Sequence, residues 1–329
     1  MKVAITGASG HLGNNLINYL NSQDISVRIL THKNNVQNSG GQNLIYSGDI
    51  LDTISLEKFL HEIDIVFHLA SRISINGSQN GLVWNTNVIG TKNLISTCIK
   101  QKVKKFVYCG SIHAFDYNST TSIINEDTSL TTNLDRPAYD RSKSEATKLI
   151  NEFSDFGNKI KVAKIYPTGI LGPNDYTMSR MGRILLNIFN HKQKFIVDGG
   201  FNWVDVRDVS WALFEASKIN SPNEDYIISG HWLSLKELFN IALTINKDNY
   251  RVYSLPFKLV QKIAYLKDSL KVFTNNNSLF TLESVNAFEF PKNISYLKAK
   301  KELGYNPRNI EYTLKDTYNW FKEQGLIAN

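Results

Sequence analysis

Short continuous apolar runs alternate with segments of helical period along the first half of the chain. Residues 2 to 6 read as a buried strand built on Val3-Ala4-Ile5, and Leu12, Leu16, Ile17 and Leu20 then mark one face of a helix. Further strands are predicted at Ser26 to Leu30, Leu44 to Tyr46, Ile65 to Leu69, Lys105 to Cys109 and Lys161 to Ile165. Between them, one long helix carries Val83, Val88, Leu94, Ile95 and Cys98 inward, and another at 139 to 156 buries Ala146, Leu149, Ile150 and Phe153. Strands and helices alternating this regularly predict an α/β fold with a parallel sheet. After Pro173 the pattern loosens, with a helix over Met178 to Asn190, a break at Gly199-Gly200 and an apolar, aromatic stretch from Phe257 to Phe273 that reads as core. This divides the chain into a main domain at 1–172, to which some later segments return, and a smaller lobe at 173–329.

The first strand-to-helix turn changes this picture from fold to chemistry. Thr6-Gly7-Ala8-Ser9-Gly10-His11-Leu12-Gly13 lies between a strand and a helix, the order a phosphate cradle requires. Gly7 allows the tight turn, Gly10 lets backbone approach a pyrophosphate and Gly13 lets the helix pack closely, with Ser9, His11 and Leu12 completing the turn. The expected architecture is therefore a Rossmann-type doubly wound parallel sheet, with a smaller carboxyl-terminal substrate lobe. In such a sheet ligands lie beyond the carboxyl ends of the strands. That places Asp49 and Ile50, and Leu69, Ala70 and Ser71, beside the nucleotide, with Asp49 a candidate for the adenine amino group. The second strand ends in Thr31-His32-Lys33, where NAD-binding sites usually offer an acid and where cations accommodate a 2′-phosphate. NADP(H) is favoured, and NAD(H) remains open.

Tyr139 and Lys143 stand four apart at the start of their helix, on one face. An ammonium beside a phenol is expected to favour phenolate and lower the tyrosine pKa, so that Tyr139 could exchange a proton near neutrality. Ser111 follows the fifth strand, on the sheet edge that carries the glycine turn, and Asn87 sits in the long helix, placed to hold a backbone carbonyl or a water.

Composition adds limits. The 42% hydrophobic and 20% charged content is that of an ordinary globular protein. The net charge of +7 comes from scattered lysines, and the densest group, Lys102, Lys104 and Lys105, reads as a solvated helix end, so no nucleic-acid partner is expected. No apolar stretch approaches a membrane span and no leader precedes the first strand, which makes a cytoplasmic location the default expectation. Cys98 and Cys109 lack metal or C-x-x-C spacing and read as reduced, buried thiols; no metal site is expected.

The order and spacing of these parts, together with Pro167-Thr168-Gly169 and the run Phe201 to Asp208, resemble the extended short-chain dehydrogenase/reductases, also called the NAD-dependent epimerase/dehydratase family. Within it, Val27-Arg28-Ile29-Leu30 and Ser111-Ile112-His113-Ala114-Phe115 look most like the dihydroflavonol-4-reductase-like branch. The resemblance implies a catalytic set of Ser111, Tyr139 and Lys143, with Lys143 also holding the cofactor ribose. It implies Tyr139 and Asn87 beside the cofactor, Asn87 on the asparagine often found in the preceding helix, and Pro167 to Gly169 flanking the nicotinamide. It implies an oxidoreductase that reduces a carbonyl or oxidises the alcohol. The rival readings are a nucleotide-sugar epimerase or dehydratase with tightly bound NAD, and a non-catalytic dinucleotide sensor. Two departures stand out: the acid at the end of the second strand is missing, and Gly110 replaces a common serine, a change expected to matter little. Substrate contacts are expected from His113, Met178, Arg180 and Trp203, and a homodimer from the helices at 82–100 and 139–156.

Overall fold

The computed structural model describes residues 1–32, 42–74, 77–117, 123–155, 160–247, 250–269 and 291–327. Seven strands form one parallel sheet: β1 (Val3–Thr6), β2 (Val27–Thr31), β3 (Leu44–Ser47), β4 (Ile65–His68), β5 (Lys105–Cys109), β6 (Lys161–Pro167) and β10 (Asn223–Ile228). Their order is β10-β6-β5-β4-β1-β2-β3, and every neighbouring pair is parallel. The strand order reverses between β1 and β4, and a crevice at such a switch point is where dinucleotides bind. β1, β4 and β5 are buried along their whole length, which is why they read as continuous apolar runs.

Two compact units divide the chain. The first comprises 1–167, 206–228 and 295–306; the second comprises 168–205, 229–294 and 307–329. In the first unit the strands alternate with α1 (His11–Ser22), α2 (Thr53–Phe59), α3 (Leu82–Trp84), α4 (Gly90–Lys100), α5 (Ala138–Asp155) and α7 (Val206–Lys218). One layer of its core joins Leu56, Phe59, Leu94, Ile95, Cys98, Phe106, Ala146 and Ile150 between sheet and helices. α7 packs on α1, with Tyr19 and Phe214 meeting edge to face at 5.6 Å. In the second unit, β7 (Gly169–Leu171), β9 (Gly200–Asp205) and β11 (His231–Ser234) form a small mixed sheet, with β9 in the centre.

Two expectations are corrected here. The long helix at 82–100 is interrupted by a π-helical turn over Asn85–Ile89, and its trace in sequence is the five-residue step from Val83 to Val88. Lys105 is not solvated: it belongs to β5, is 4% exposed, and donates from Nζ to the Ile219 carbonyl at 2.8 Å. Burial, with the Lys161 charge adding to it, brings its pKa down to about 8.

Candidate active site

The glycine turn leaves β1 at Gly7, whose φ of +74° is a left-handed conformation that glycine adopts without strain. A Cβ there would meet the Ala70 nitrogen at 2.4 Å, so the turn and the end of β4 are in direct backbone contact. A Cβ at Gly13 would meet the Gly7 carbonyl at 2.3 Å: this glycine closes α1 onto the turn itself. Gly10 differs, because its nearest neighbour would be the Gly7 carbonyl at 3.4 Å. Protein packing does not require a glycine at position 10, and its absence of a side chain suits a close backbone approach to a ligand. α1 begins after Gly10 with no side-chain cap and no acid in its first turn, so its positive dipole end faces the turn, a setting that favours an anion. These residues fit the pyrophosphate of a dinucleotide. Asn14, not singled out by the sequence pattern, secures the turn by donating to the Ser9 and Gly10 carbonyls at 3.1 and 3.0 Å.

Around this cradle, Asp49 accepts from the Leu51 N–H at 2.9 Å and lies 3.5 Å from His32. The β2 end thus carries a histidine facing a carboxylate; Lys33 lies outside the described residues. Pro167 closes β6 and Gly169 opens β7, with Thr168 between them, buried and its hydroxyl without a partner among the described residues.

The π turn places Asn87 at 2% exposure with both ends of its amide engaged. Oδ1 accepts from the Arg72 N–H at 2.7 Å and the Ser71 hydroxyl at 3.2 Å. Nδ2 donates to the Arg72 carbonyl at 3.1 Å and the Ser142 hydroxyl at 2.9 Å. Ser142 in turn donates to the Tyr139 carbonyl at 2.7 Å, so Asn87 ties the loop after β4 to the first turn of α5.

Ser111 follows β5 and is 7% exposed, its hydroxyl accepting from the His113 N–H at 3.3 Å and hydrogen-bonded to Tyr139. Lys143 is 3% exposed; its ammonium donates to the Cys109 carbonyl at 2.9 Å and sits 3.5 Å from the Tyr108 hydroxyl. Burial lowers its pKa to about 8. The expected depression of the Tyr139 pKa by Lys143 is not what the structure shows. Burial pushes the phenol well above its ordinary value, the Ser111 hydrogen bond opposes that, and the ammonium is directed at Cys109 and Tyr108. Tyr139 is accordingly held in its neutral form, the form that can give a proton.

Of the residues expected to meet substrate, His113 lies beside this set, its ring edge-on to Tyr139 at 6.1 Å and Nδ1 3.4 Å from the Asp140 carboxylate. Asp140 is 3% exposed; burial would raise its pKa, but His113 and Arg136, the latter at 2.6 Å, hold it low. In the second unit, Met178 is half-buried with a positive φ of 52°, and Arg180 opens α6 (Arg180–Phe189) with its pKa brought down to about 10 by burial. Trp203 departs from expectation: it is 3% exposed in β9 and donates to the Leu233 carbonyl at 3.1 Å, which makes it packing within its own unit.

Two aspects of the site went unread in the sequence. His68, at the end of β4, is fully buried between hydroxyls, and Gly110 is demanded by packing: a Cβ there would meet the Tyr166 ring at 2.5 Å. His68 looked like one more member of an apolar strand, and Tyr166 lies on a neighbouring strand that local pattern cannot bring to Gly110. Among the described residues no group of three or more His, Cys, Asp or Glu could hold a metal, and no helix is long and apolar enough to cross a membrane.

Comparison with known proteins gives the family and the fold. Sterol demethylase protein B of Methylococcus capsulatus is 25% identical over 331 residues, covering 99% of this chain and all of the relative. Among solved structures, that of gox2253 superposes with a TM-score of 0.85 at 24% identity, over 99% of each chain. UDP-glucose 4-epimerase of Thermotoga maritima, solved with UDP-glucose, shares the fold with a TM-score of 0.78 at 19% identity, over 98% of this chain and 99% of that one. Residues 3–229 match the sequence model of the NAD dependent epimerase/dehydratase family, and the chain belongs to that family, as an NAD(P)-dependent enzyme of the extended short-chain dehydrogenase/reductase type.

Proposed function

We propose that the protein reduces a carbonyl of a small organic substrate, or oxidises the corresponding alcohol, with NADP(H), through Ser111, Tyr139 and Lys143. The observation that carries this reading is the hydrogen-bonded Ser111–Tyr139 pair, a neutral phenol beside a buried ammonium on the sheet edge that holds the glycine turn. When bound, the dinucleotide supplies or takes up the hydride. Tyr139 gives its proton to the oxygen that gains negative charge, and Ser111 steadies that oxygen with a second hydrogen bond. Lys143, its buried ammonium anchored on the Cys109 carbonyl, would hold the ribose of the bound dinucleotide beside Tyr139. A phenol held above its ordinary pKa suits the reducing direction, in which it starts protonated. Incubation with NADPH and a panel of aldehydes and ketones tests this: net NADPH consumption is expected, with one alcohol formed per cofactor oxidised.

The rival reading, a nucleotide-sugar epimerase or dehydratase, draws support from the shared fold with UDP-glucose 4-epimerase. It predicts a dinucleotide that stays with the protein through gel filtration and a nucleotide sugar converted with no net change in NADPH absorbance. Either result would displace the reductase reading.

The preference for NADP(H) rests on the β2 end, where Thr31-His32-Lys33 supplies cations and no acid. Asp49 shares His32, so a 2′-phosphate would have to compete with that carboxylate. NADPH is expected to bind about tenfold more tightly than NADH in fluorescence titrations, the weight of one charge-assisted hydrogen bond. Equal affinities, or tighter NADH, would reassign the cofactor.

A further inference from the structure

β4 runs Ile65-Val66-Phe67-His68, and its last residue is as buried as the three before it, at 0% exposure. Phe106 and Tyr108 stand at 5.8 and 5.7 Å from the imidazole, ring centre to ring centre. An imidazole in such a place costs free energy unless both its nitrogens are satisfied, and a leucine would carry no such demand. Both nitrogens are satisfied. Nδ1 lies 2.7 Å from the Thr6 hydroxyl and Nε2 lies 2.8 Å from the Thr91 hydroxyl.

The proton positions along this line follow from counting donors. Thr91 has one hydroxyl proton and donates it to the Asn87 carbonyl at 2.7 Å, so its oxygen can only accept from His68. Nε2 therefore carries the hydrogen, and Nδ1 is a bare acceptor. Thr6 must then donate to Nδ1, which leaves its oxygen to accept from the Ala70 N–H at 3.3 Å. The opposite tautomer would take the Thr91 proton away from Asn87 and leave the Thr6 hydroxyl proton with no acceptor among these groups. One assignment satisfies every member and the other does not.

The line has two functional ends. At one, Thr6 holds the Ala70 N–H, and Leu69 and Ala70 form the floor against which Gly7 packs. At the other, Thr91 holds the backbone of Asn87, whose side chain reaches Ser142 and through it the backbone of Tyr139. We propose that His68 is a positioning residue, a neutral imidazole locked in the Nε2–H tautomer that sets the glycine turn and the helix bearing Tyr139 in register with one another. The inference builds on the reading of Tyr139 as the proton donor. Protonation would break the line, because Nδ1–H would face a hydroxyl that is already donating. Burial, reinforced by the Lys143 charge, accordingly brings the His68 pKa down to about 3.

Long-range proton–nitrogen NMR on the full chain labelled with nitrogen-15 histidine is the primary test. One of the seven histidines should show the neutral Nε2–H pattern unchanged from pH 8 down to pH 5, and it should vanish in His68→Leu. Thr6→Val, which removes the donor to Nδ1, should weaken NADPH binding about tenfold and lower kcat as well, the weight of one displaced buried hydrogen bond. Thr6→Ser, which keeps the hydroxyl, should restore both. In a His68→Leu background the effects of Thr6→Val and Thr91→Val should become additive, whereas they are coupled when the imidazole is present. A His68 that titrates between pH 5 and 8, or that carries its proton on Nδ1, overturns the proposal. So does a Thr6→Val protein with NADPH affinity and kcat within twofold of wild type. If His68→Leu fails to fold, the wild-type spectrum and the Thr6 pair still decide. The NMR pattern and the NADPH affinity need no substrate, so a failure of the reductase reading would leave this test intact.

Discussion

At the residue scale, the largest departure from expectation concerns what Lys143 does to its neighbours. The four-residue spacing does bring Tyr139 and Lys143 to one site, yet the ammonium is engaged by the Cys109 carbonyl and the face of Tyr108, and burial dominates the phenol. Spacing fixes which side chains share a helix face, but the dielectric around them depends on strands brought in from elsewhere. A pH dependence follows. Lys143 has a folded pKa of about 8 against 10.5 when exposed, so between those values the unfolded chain binds more protons than the native one. This group therefore lowers stability most below pH 8, and the penalty fades as pH rises towards 10.5. Against Lys143→Met, which carries no charge, wild type should gain about 2 kcal/mol between pH 7 and pH 9.5 in denaturant titrations. A difference between the two proteins that stays constant over that range would show that Lys143 titrates normally.

At the scale of elements, β1, β4 and β5 were legible because burial on both faces makes them nearly continuous apolar runs. The predicted ends of β1 to β6 fall within two residues of those observed, whereas β10 went unread. The π turn at Asn85–Ile89 was not legible either, since one extra residue in a helical repeat leaves little mark in a periodicity. Gly110 shows a second limit. Read as a harmless departure, it proves to be half of a pair whose other half is Tyr166. That ring is held in place by the Asp225 carboxylate, to which its hydroxyl donates at 2.8 Å, and by Phe115, edge to face at 4.9 Å. It cannot yield to a new Cβ without breaking one of these contacts. Gly110→Ala should therefore destabilise the protein by about 1–3 kcal/mol through overpacking. Adding Tyr166→Leu should recover part of that loss, since the two changes share one space. Strict additivity of the two substitutions in thermal or urea unfolding would refute the pairing.

At the scale of the whole molecule, the glycine turn, the serine and the tyrosine–lysine pair sufficed to place the chain in its family, because each is a local signal and their order is itself informative. Which later segments rejoin the nucleotide-binding unit was beyond the local pattern. α7 and β10 belong to it by packing on α1 and pairing with β6, contacts between segments far apart in the sequence. The buried line through His68 was hidden for the same reason, being assembled from β1, β4, the π turn and α4. Substrate identity lies further from sequence still: Trp203, an apparent pocket residue, is core. The central claim is that Tyr139 delivers the proton while the fold around it holds the dinucleotide. It is tested most directly by Tyr139→Phe, with turnover and NADPH affinity measured on the same protein. The account predicts kcat lower by a factor on the order of 10² to 10⁴, with NADPH affinity within about twofold of wild type. Turnover close to wild type would contradict it.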